Sequence, residues 1–592
     1  MDRNQRSNQG GFALVLTILV VVIVGSIVAG AAFIGSNHMI INSYYDRQSE
    51  MEMVANAGLE WTRSKLNGDD TFYPDSGYAT IENGAAVTDA AGNTLPGVKR
   101  WLYVGPSGVT SGQYGVFGTA IAVVRDDGGG EVIRRSEIFQ ESFAKYAYFT
   151  DVEPSNISFG GGDQIFGPVH SNSPIKIYSS GATFHGLVRT ASNVPSPQYG
   201  TFKQGYQEYV SPIAMPSTAD LNKLAAQAAA GNTSFTGNSN GGYGQATTRI
   251  EFIAIDLNGD GDESDANEGF IRVYQSADAQ WVTGDVSGTT TCTGSGWSQV
   301  CTTTGGATSS YQCGTYVGGV FTSTASVGNT TTGRTMLQGA NGRCFLGGSD
   351  ETNSGTFVAS DVAPRPVGGW LTFPGTKSAL LNGRADKDYL FPINRPLNPN
   401  FKGVIYVQGK VVVSGKIRGR VTVAATDDII FGDDITYVTD PGAGTCVDMA
   451  GFFAGDEVIV ADNAMNAPQY LGSNHYTLDD TSDEFFHGVV LALDIFTVHN
   501  YSSGSTNDEY CESNQGGRGC LYLTGGIIQN TRGAVGTTSG TGYVKRYSYD
   551  QCGATQPPPY FPTTGYFAKG QYYHVDPSNF SPSAYYSMIT PS

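Results

Sequence analysis

The sequence predicts a mainly β protein: a long N-terminal α-helical stalk, then a β-rich ectodomain best read as a parallel β-helix or solenoid with a disulfide-bearing insertion. Three observations predict it. An apolar run near the N terminus passes into an amphipathic one without a proline. Beyond it, short Val/Ile-rich segments alternate with Gly, Asn and Asp clusters, the punctuation of short strands and tight turns. Charge is sparse, 15% of 592 residues, while Gly (79) and Tyr (33) are abundant. With 34 Lys+Arg against 53 Asp+Glu, the chain carries a formal charge of -19. Nucleic-acid binding needs dense cationic surface, so no nucleic-acid partner is expected.

The apolar run covers Phe12 to Ile34, 23 residues. As a helix it spans about 34 Å, enough for a bilayer core. Arg3 and Arg6 precede it, and no acidic residue occurs between Phe12 and Asp46. That asymmetry keeps the N terminus cytoplasmic and exports the rest. A cleaved signal peptide is the alternative, with Ser26, Ala29 and Ala31 imitating its small-residue exit. The run does not stop at Ile34. Ile40, Tyr44, Met51, Ala55, Leu59, Thr62 and Leu66 recur roughly three or four apart, so one helix from Phe12 to Leu66, about 80 Å long, is predicted.

The basic leader, Gly11-Phe12-Ala13-Leu14, the apolar helix and the stretch with Ala55, Ala57, Gly58, Leu59 and Glu60 resemble a type IV pilin-like N terminus, nearest to the PilX-type minor pilins. The resemblance implies a leader at 1–11, cleavage between Gly11 and Phe12 by a prepilin peptidase, and N-methylation of Phe12. It also implies packing with other pilin-like subunits through the helix. Most major pilins have Glu at the fifth mature position; here it is Leu16. Leu16 cannot pair with a neighbouring subunit's terminal amine, so a rare, initiating or tip-proximal subunit fits better than a bulk one.

Residues 67–150 contain alternating segments, Val98 to Val104, Gly115 to Val124 and Glu131 to Phe143, and read as a small antiparallel β unit. At 151–190 the segments shorten, as in Ile165-Phe166-Gly167-Pro168-Val169 and Ile175-Lys176-Ile177-Tyr178. Very short strands with tight turns suit solenoid rungs. The same texture returns within 371–592: Val404 to Val407, Val411 to Val413, Val421 to Val423, Ile429 to Phe431 and Ile435 to Tyr437, with later rungs at Val458 to Val460, Val489 to Leu493 and Leu521 to Ile528. An irregular β-sandwich is the competing architecture. Between the two rung regions, 191–370 is rich in Thr, Ser and Gly and reads as an insertion. The segments GPVHSN at 167–172, GKIRGRVTV at 415–423, GGIIQNTRGAVG at 525–536 and YFPTTG at 560–565 resemble an uncharacterised bacterial domain found behind PilX-like N termini. That resemblance implies architecture only.

The sharpest chemical motif is Asp256-Leu257-Asn258-Gly259-Asp260-Gly261-Asp262 with Asp265 and Glu268 behind it. Oxygen ligands at positions one, three and five, a carbonyl at seven and Gly at six are the rhythm of a calcium loop. Asp256, Asn258, Asp260, Asp262, Asp265 and Glu268 are the candidate Ca2+ ligands. Position twelve is Asn267, so Asp265 or Glu268 must close the shell. The flanks Ile250 to Ile255 and Gly269 to Tyr274 read as strands, making a calcium-stapled hairpin. A solvated acidic turn is the competing reading.

Eight cysteines, Cys292, Cys301, Cys313, Cys344, Cys446, Cys511, Cys520 and Cys552, lie outside the anchor with no CxxC pair. In an exported protein they are disulfide candidates. Cys511–Cys520 and Cys520–Cys552 are both open pairings, and Cys446 is the candidate free thiol if fewer than four bridges form. His170, His185, His475, His487, His499 and His574 are scattered without metal-ligand spacing. Asp427, Asp428, Asp433 and Asp434 could furnish the carboxylates of a polysaccharide lyase or glycosidase, yet repeated acidic turns would look the same. No catalytic residue and no enzyme activity is expected. The leading function is a membrane-anchored structural subunit of a type IV pilus-like or pseudopilus-like surface assembly displaying a β-rich head. A tip or envelope adhesin, with a surface ligand, and a carbohydrate-processing enzyme are the alternatives. The expected location is a single-pass cell membrane anchor with an exported C-terminal domain.

Overall fold

The computed structural model describes residues 9–69, 72–74, 76–89, 91–107, 117–160, 162–237, 239, 245–281, 289–293, 300–304, 310–317, 320–328, 368–384, 386–460, 484–498, 501–502, 519–537 and 541–590. The chain divides into two compact units.

The first unit holds Met1–Val109, Val116–Gln140 and Tyr566–Ser592. Its helix α1 runs unbroken from Gln9 to Gly68. Strands β1 (Ala79–Thr88), β2 (Thr94–Pro106), β3 (Phe117–Asp126) and β4 (Glu131–Ser142) form an antiparallel meander. Alternation decides its layers. Ala120, Ala122 and Val124 of β3 pack with Leu102, Val104 and the α1 residues Met51, Val54, Ala55, Leu59 and Leu66. The intervening Ile121 and Val123 pack with Ile133 and Tyr585, the latter on a helix Pro582–Ile589. A strand buried on both faces reads as a continuous apolar run, which is what FGTAIAVV shows.

The second unit contains Glu141–Gly565. Its early strands are β5 (Tyr148–Val152), β6 (Asp163–Ile165), β7 (Val169–Ser171), β8 (Ala182–Phe184), β9 (Val188–Thr190), β10 (Gly200–Phe202) and β11 (Tyr206–Gln207). After helices α2 (Thr218–Asn222) and α3 (Leu224–Ala230) come β12 (Ser234–Thr236), β13 (Gln245–Ala254) and β14 (Gly269–Trp281). Two separate hairpins follow, β15 (Thr289–Thr293) with β16 (Val300–Thr304), and β17 (Ser310–Val317) with β18 (Val320–Gly328). The remainder is β19 (Gly368–Trp370), β20 (Phe391–Pro392), β21 (Val404–Gln408), β22 (Val411–Ile417), β23 (Arg420–Ala425), β24 (Ile429–Tyr437), β25 (Met449–Ala454), β26 (Val458–Val460), β27 (Glu484–Ala492), β28 (Phe496–Val498), β29 (Gly519–Thr531) and β30 (Tyr543–Tyr549).

Pairing along the ladders of this unit is parallel, while β14 pairs antiparallel with β13, β19 and β20. One ladder runs β12–β21–β23–β25–β27–β29–β5–β7–β9–β11. A second carries β13–β22–β24–β26–β28. In the first ladder one column of side chains steps through Ile405, Val423, Phe452, Val490, Ile527, Tyr148, Val169 and Val188. All eight are buried. Parallel strands need crossover connections, and here β21 reaches β23 by way of β22, which turns into β23 at Gly419, with φ of 106°.

Two boundaries differ from the sequence reading. The 191–370 region is not wholly an insertion: β12 and β13 pair in parallel with β21 and β22. Nor does 371–592 form one region. The last strand, β31 (Thr563–Asp576), joins the sheet of β1 to β4, and Tyr566–Ser592 belong to the first unit. Long-range pairing decides both, and short windows of sequence do not record it.

Candidate functional site

The N-terminal helix is the most strongly patterned feature. Residues 11–46 are exposed along their whole length. This is one helix long and apolar enough to cross a membrane. Within 12–34 its two hydroxyl side chains bond to the helix's own backbone, as hydrocarbon would demand: the Thr17 hydroxyl donates to the Ala13 carbonyl and the Ser26 hydroxyl to the Val22 carbonyl, both at 2.7 Å. Gly11, Phe12 and Leu16 lie within it. Ile40 and Tyr44 of the expected apolar stripe are exposed, whereas Met51, Ala55, Leu59, Thr62 and Leu66 are buried. The stripe therefore enters the core only in the outer third of the helix.

The loop of the candidate calcium ligands connects β13 to β14, which pair antiparallel from Ala254↔Gly269 outward. Its carboxylates are engaged by backbone amides. Asp256 accepts from Gly259 at 2.6 Å and from Gly261 at 3.0 Å. Asn258 Oδ1 accepts from Asp260, and Asp260 Oδ1 accepts from Asp262. The Ser264 side chain and amide hold the Asp262 carboxyl below the ordinary range. The Asn258 amide donates to both Asp260 and Asp265 at 2.9 Å. Glu268 is buried and accepts from Leu257 and Asp265, both at 2.8 Å. Asp256, Asn258, Asp260 and Asp265 thus surround one turn, while Glu268 braces its base. The oxygen-rich donor set suits a hard cation. Gly259 and Gly261, with φ of 78° and 97°, make the turn possible.

A second acidic group lies on the parallel ladders. Oxygens of Asp427, Asp428 and Asp456 fall within 4.8 Å of one another. The register of β24 on β26, Ile429↔Val458, brings Asp456 beside them. Lys410 donates to Asp428 at 2.6 Å and stands 3.7 Å from Asp427. Burial and like charge raise Asp427, Asp456 and Glu457, the last to about 7. Asp434 is placed otherwise: it accepts from the Phe485 amide at 2.8 Å. Among the described residues Asp427 and Asp428 are thus joined by Asp456, which sequence distance hid, and the side chain of Asp433 lies outside the described part.

Cys446 and Cys552 form a disulfide. Cys446 is therefore not the free thiol, and Cys552 is not the partner of Cys520, which is itself disulfide-bonded. In β15 and β16 the backbones of Cys292 and Cys301 are in register. The side chains of Cys292, Cys301 and Cys313 lie outside the described part, as do Cys344 and Cys511. His170 stacks on Phe149 and meets Asn172 at 3.0 Å, His185 stacks on Phe166, and His487 Nδ1 accepts from Tyr437. His475 and His499 lie outside the described residues.

No protein-family model matches the chain, and no curated protein matches it. Among solved structures it is similar to "Crystal structure of competence-associated pilin ComZ from Thermus thermophilus", at 11% identity over 84% of this chain and 88% of that one. The TM-score is 0.24, too low to establish a shared fold.

Proposed function

We propose that the chain is a membrane-anchored structural subunit of a type IV pilus-like or pseudopilus-like surface assembly, with a parallel β-solenoid as its displayed head. One observation carries this reading. A single helix is exposed and apolar through 11–34, then buries Met51, Ala55, Leu59 and Leu66 against an antiparallel sheet. An exposed apolar helix needs lipid or other helices around it. The role is display and not catalysis, and Lys410 already engages Asp427 and Asp428. The test is shearing of surface filaments from cells that make the protein. Co-purification, with a mature N terminus at Phe12 by mass spectrometry, is expected. A mature start beyond Ala31 would sink the reading in favour of a secretory signal peptide.

The same reading gives the 256–268 loop a calcium ion. Extracellular calcium sites work at about 10⁻⁴–10⁻³ M. Asp256, Asn258, Asp260 and Asp265, with the Asp262 carbonyl, would hold the ion. Its chemistry there is charge neutralisation across the β13–β14 turn. Chelation should lower the melting temperature and increase cleavage near residue 260, and Asp260→Ala should abolish that response. Unchanged melting and no heat of binding at millimolar calcium would leave an acidic turn only.

A further inference from the structure

We propose that the second unit carries a binding pocket for a neutral saccharide, lined by Tyr178, Tyr501 and the Asp163–Lys545 ion pair. The proposal does not depend on the filament reading. The cavity measures about 540 Å³, within the range of about 300–1,000 Å³ typical of small-molecule sites. It draws on segments far apart in sequence, because β30 pairs with β6 at Arg546↔Gln164 and Tyr547↔Ile165. That register sets Lys545 beside Asp163, with Nζ 3.3 Å from Oδ2.

Three features select the ligand class. First, Tyr178 is 55% exposed and lines the pocket together with Tyr501. A large aromatic side chain left in water in the lining of a cavity offers a flat apolar face and a polar tip. The face of a pyranose ring, with C–H groups on one side and hydroxyls at its rim, matches that pairing.

Second, the cations are already balanced. Arg532, a buried residue of the lining, binds Glu153 at 3.1 Å and lies 3.8 Å from the Phe159 ring centroid. Lys545 is balanced by Asp163. A carboxylate or phosphate ligand would find no uncompensated positive charge and would be desolvated at a cost. A polyol exchanging hydrogen bonds has no such cost. Third, Thr537 and Thr541, whose hydroxyls meet at 2.7 Å, line the cavity. Each hydroxyl both donates and accepts, as sugar hydroxyls require.

The test uses the full-length protein in lipid nanodiscs, because glycoside detergents would compete. It is applied to an array of neutral and acidic glycans, and the best neutral one is then titrated by calorimetry. Binding of a neutral glycan with little dependence on salt is expected. Tyr178→Ala should weaken it at least about tenfold, the effect of losing a stacked aromatic anchor, with melting unchanged. Tyr209→Ala, an exposed tyrosine outside the pocket, should bind as the parent does. Overturning results are a preference for acidic glycans, equal loss in both variants, or neutral-glycan binding no stronger than that of Tyr178→Ala.

Discussion

Glu457 shows how a single residue reports its surroundings. Burial, then the nearby Asp428, Asp456 and Asp494 charges, push its carboxyl from 4.5 up to about 7, and Lys410 opposes them. The folded form therefore holds its proton more tightly than the unfolded form. Its ionisation removes stability as pH rises from about 4.5 through 7, and nothing further is lost above that. His170 acts in the opposite sense. Burial lowers it from 6.5 to about 4, so the unfolded chain takes up a proton first and stability falls as pH drops through that window. Glu457→Gln should raise the melting temperature near pH 8 and change it little near pH 4. After allowance for its partly exposed side chain, the gain is about 1 kcal/mol. A shift of equal size at both pH values would mean that packing, not charge, is responsible. Asp427 and Asp428 were visible in the sequence as an acidic turn. Their neighbours Asp456 and Glu457 were not, because only the β24–β26 register joins the two turns.

Among the elements, the Cys446–Cys552 bridge is a covalent tie between two turns of the second unit. Cys446 follows the turn at Pro441–Ala443, and Cys552 opens a short helix Cys552–Thr555 after β30. The two are separated by 106 positions. Cross-linking so long a loop chiefly restricts the unfolded chain, by roughly 2–5 kcal/mol. Cys446→Ser should lower stability by that amount without changing the secondary structure seen by circular dichroism. A loss under about 0.5 kcal/mol would show that strand pairing already confines the unfolded loop. The even cysteine count indicated bridges, but pairing depended on how β25 to β30 bring positions 446 and 552 together. Helix α1 was legible because its apolar run and lack of proline are local properties. So were β21 to β24, whose Val/Ile segments are bounded by Gly409, Gly419 and Asp428. The membership of β12 and β13 in the ladders was not legible. Thr and Ser around them gave the texture of a loop, and the register that recruits them lies at Tyr406 and Val413.

Across the whole second unit, the order of strands in the first ladder is not the order of the chain. The column passes from Val490 to Ile527 and then to Tyr148. Strands β5, β7, β9 and β11 come first in the chain, yet their base is β29, the last strand of this ladder in chain order. Between them the chain returns through α2 and α3 to begin again at β12, the far end of the same ladder. A parallel stack buries each rung only against its neighbours, so Tyr148 and Phe149 lack their cover until Ile527 and Ile528 arrive. Loop closure over that distance must precede the contacts that reward it. The early rungs should therefore share their stability with the late ones. In native-state hydrogen exchange, amides of Tyr148–Val152 and Val169–Ser171 should exchange with the same opening free energy as those of Gly519–Thr531. Ile527→Asp, which puts a charge into the column, should lower protection in β5 and β7 as much as in β29. If β5 to β9 keep their protection in that variant while β29 loses it, the early rungs are an independent folding unit. The ladder would then be two stacks in contact instead of one cooperative column.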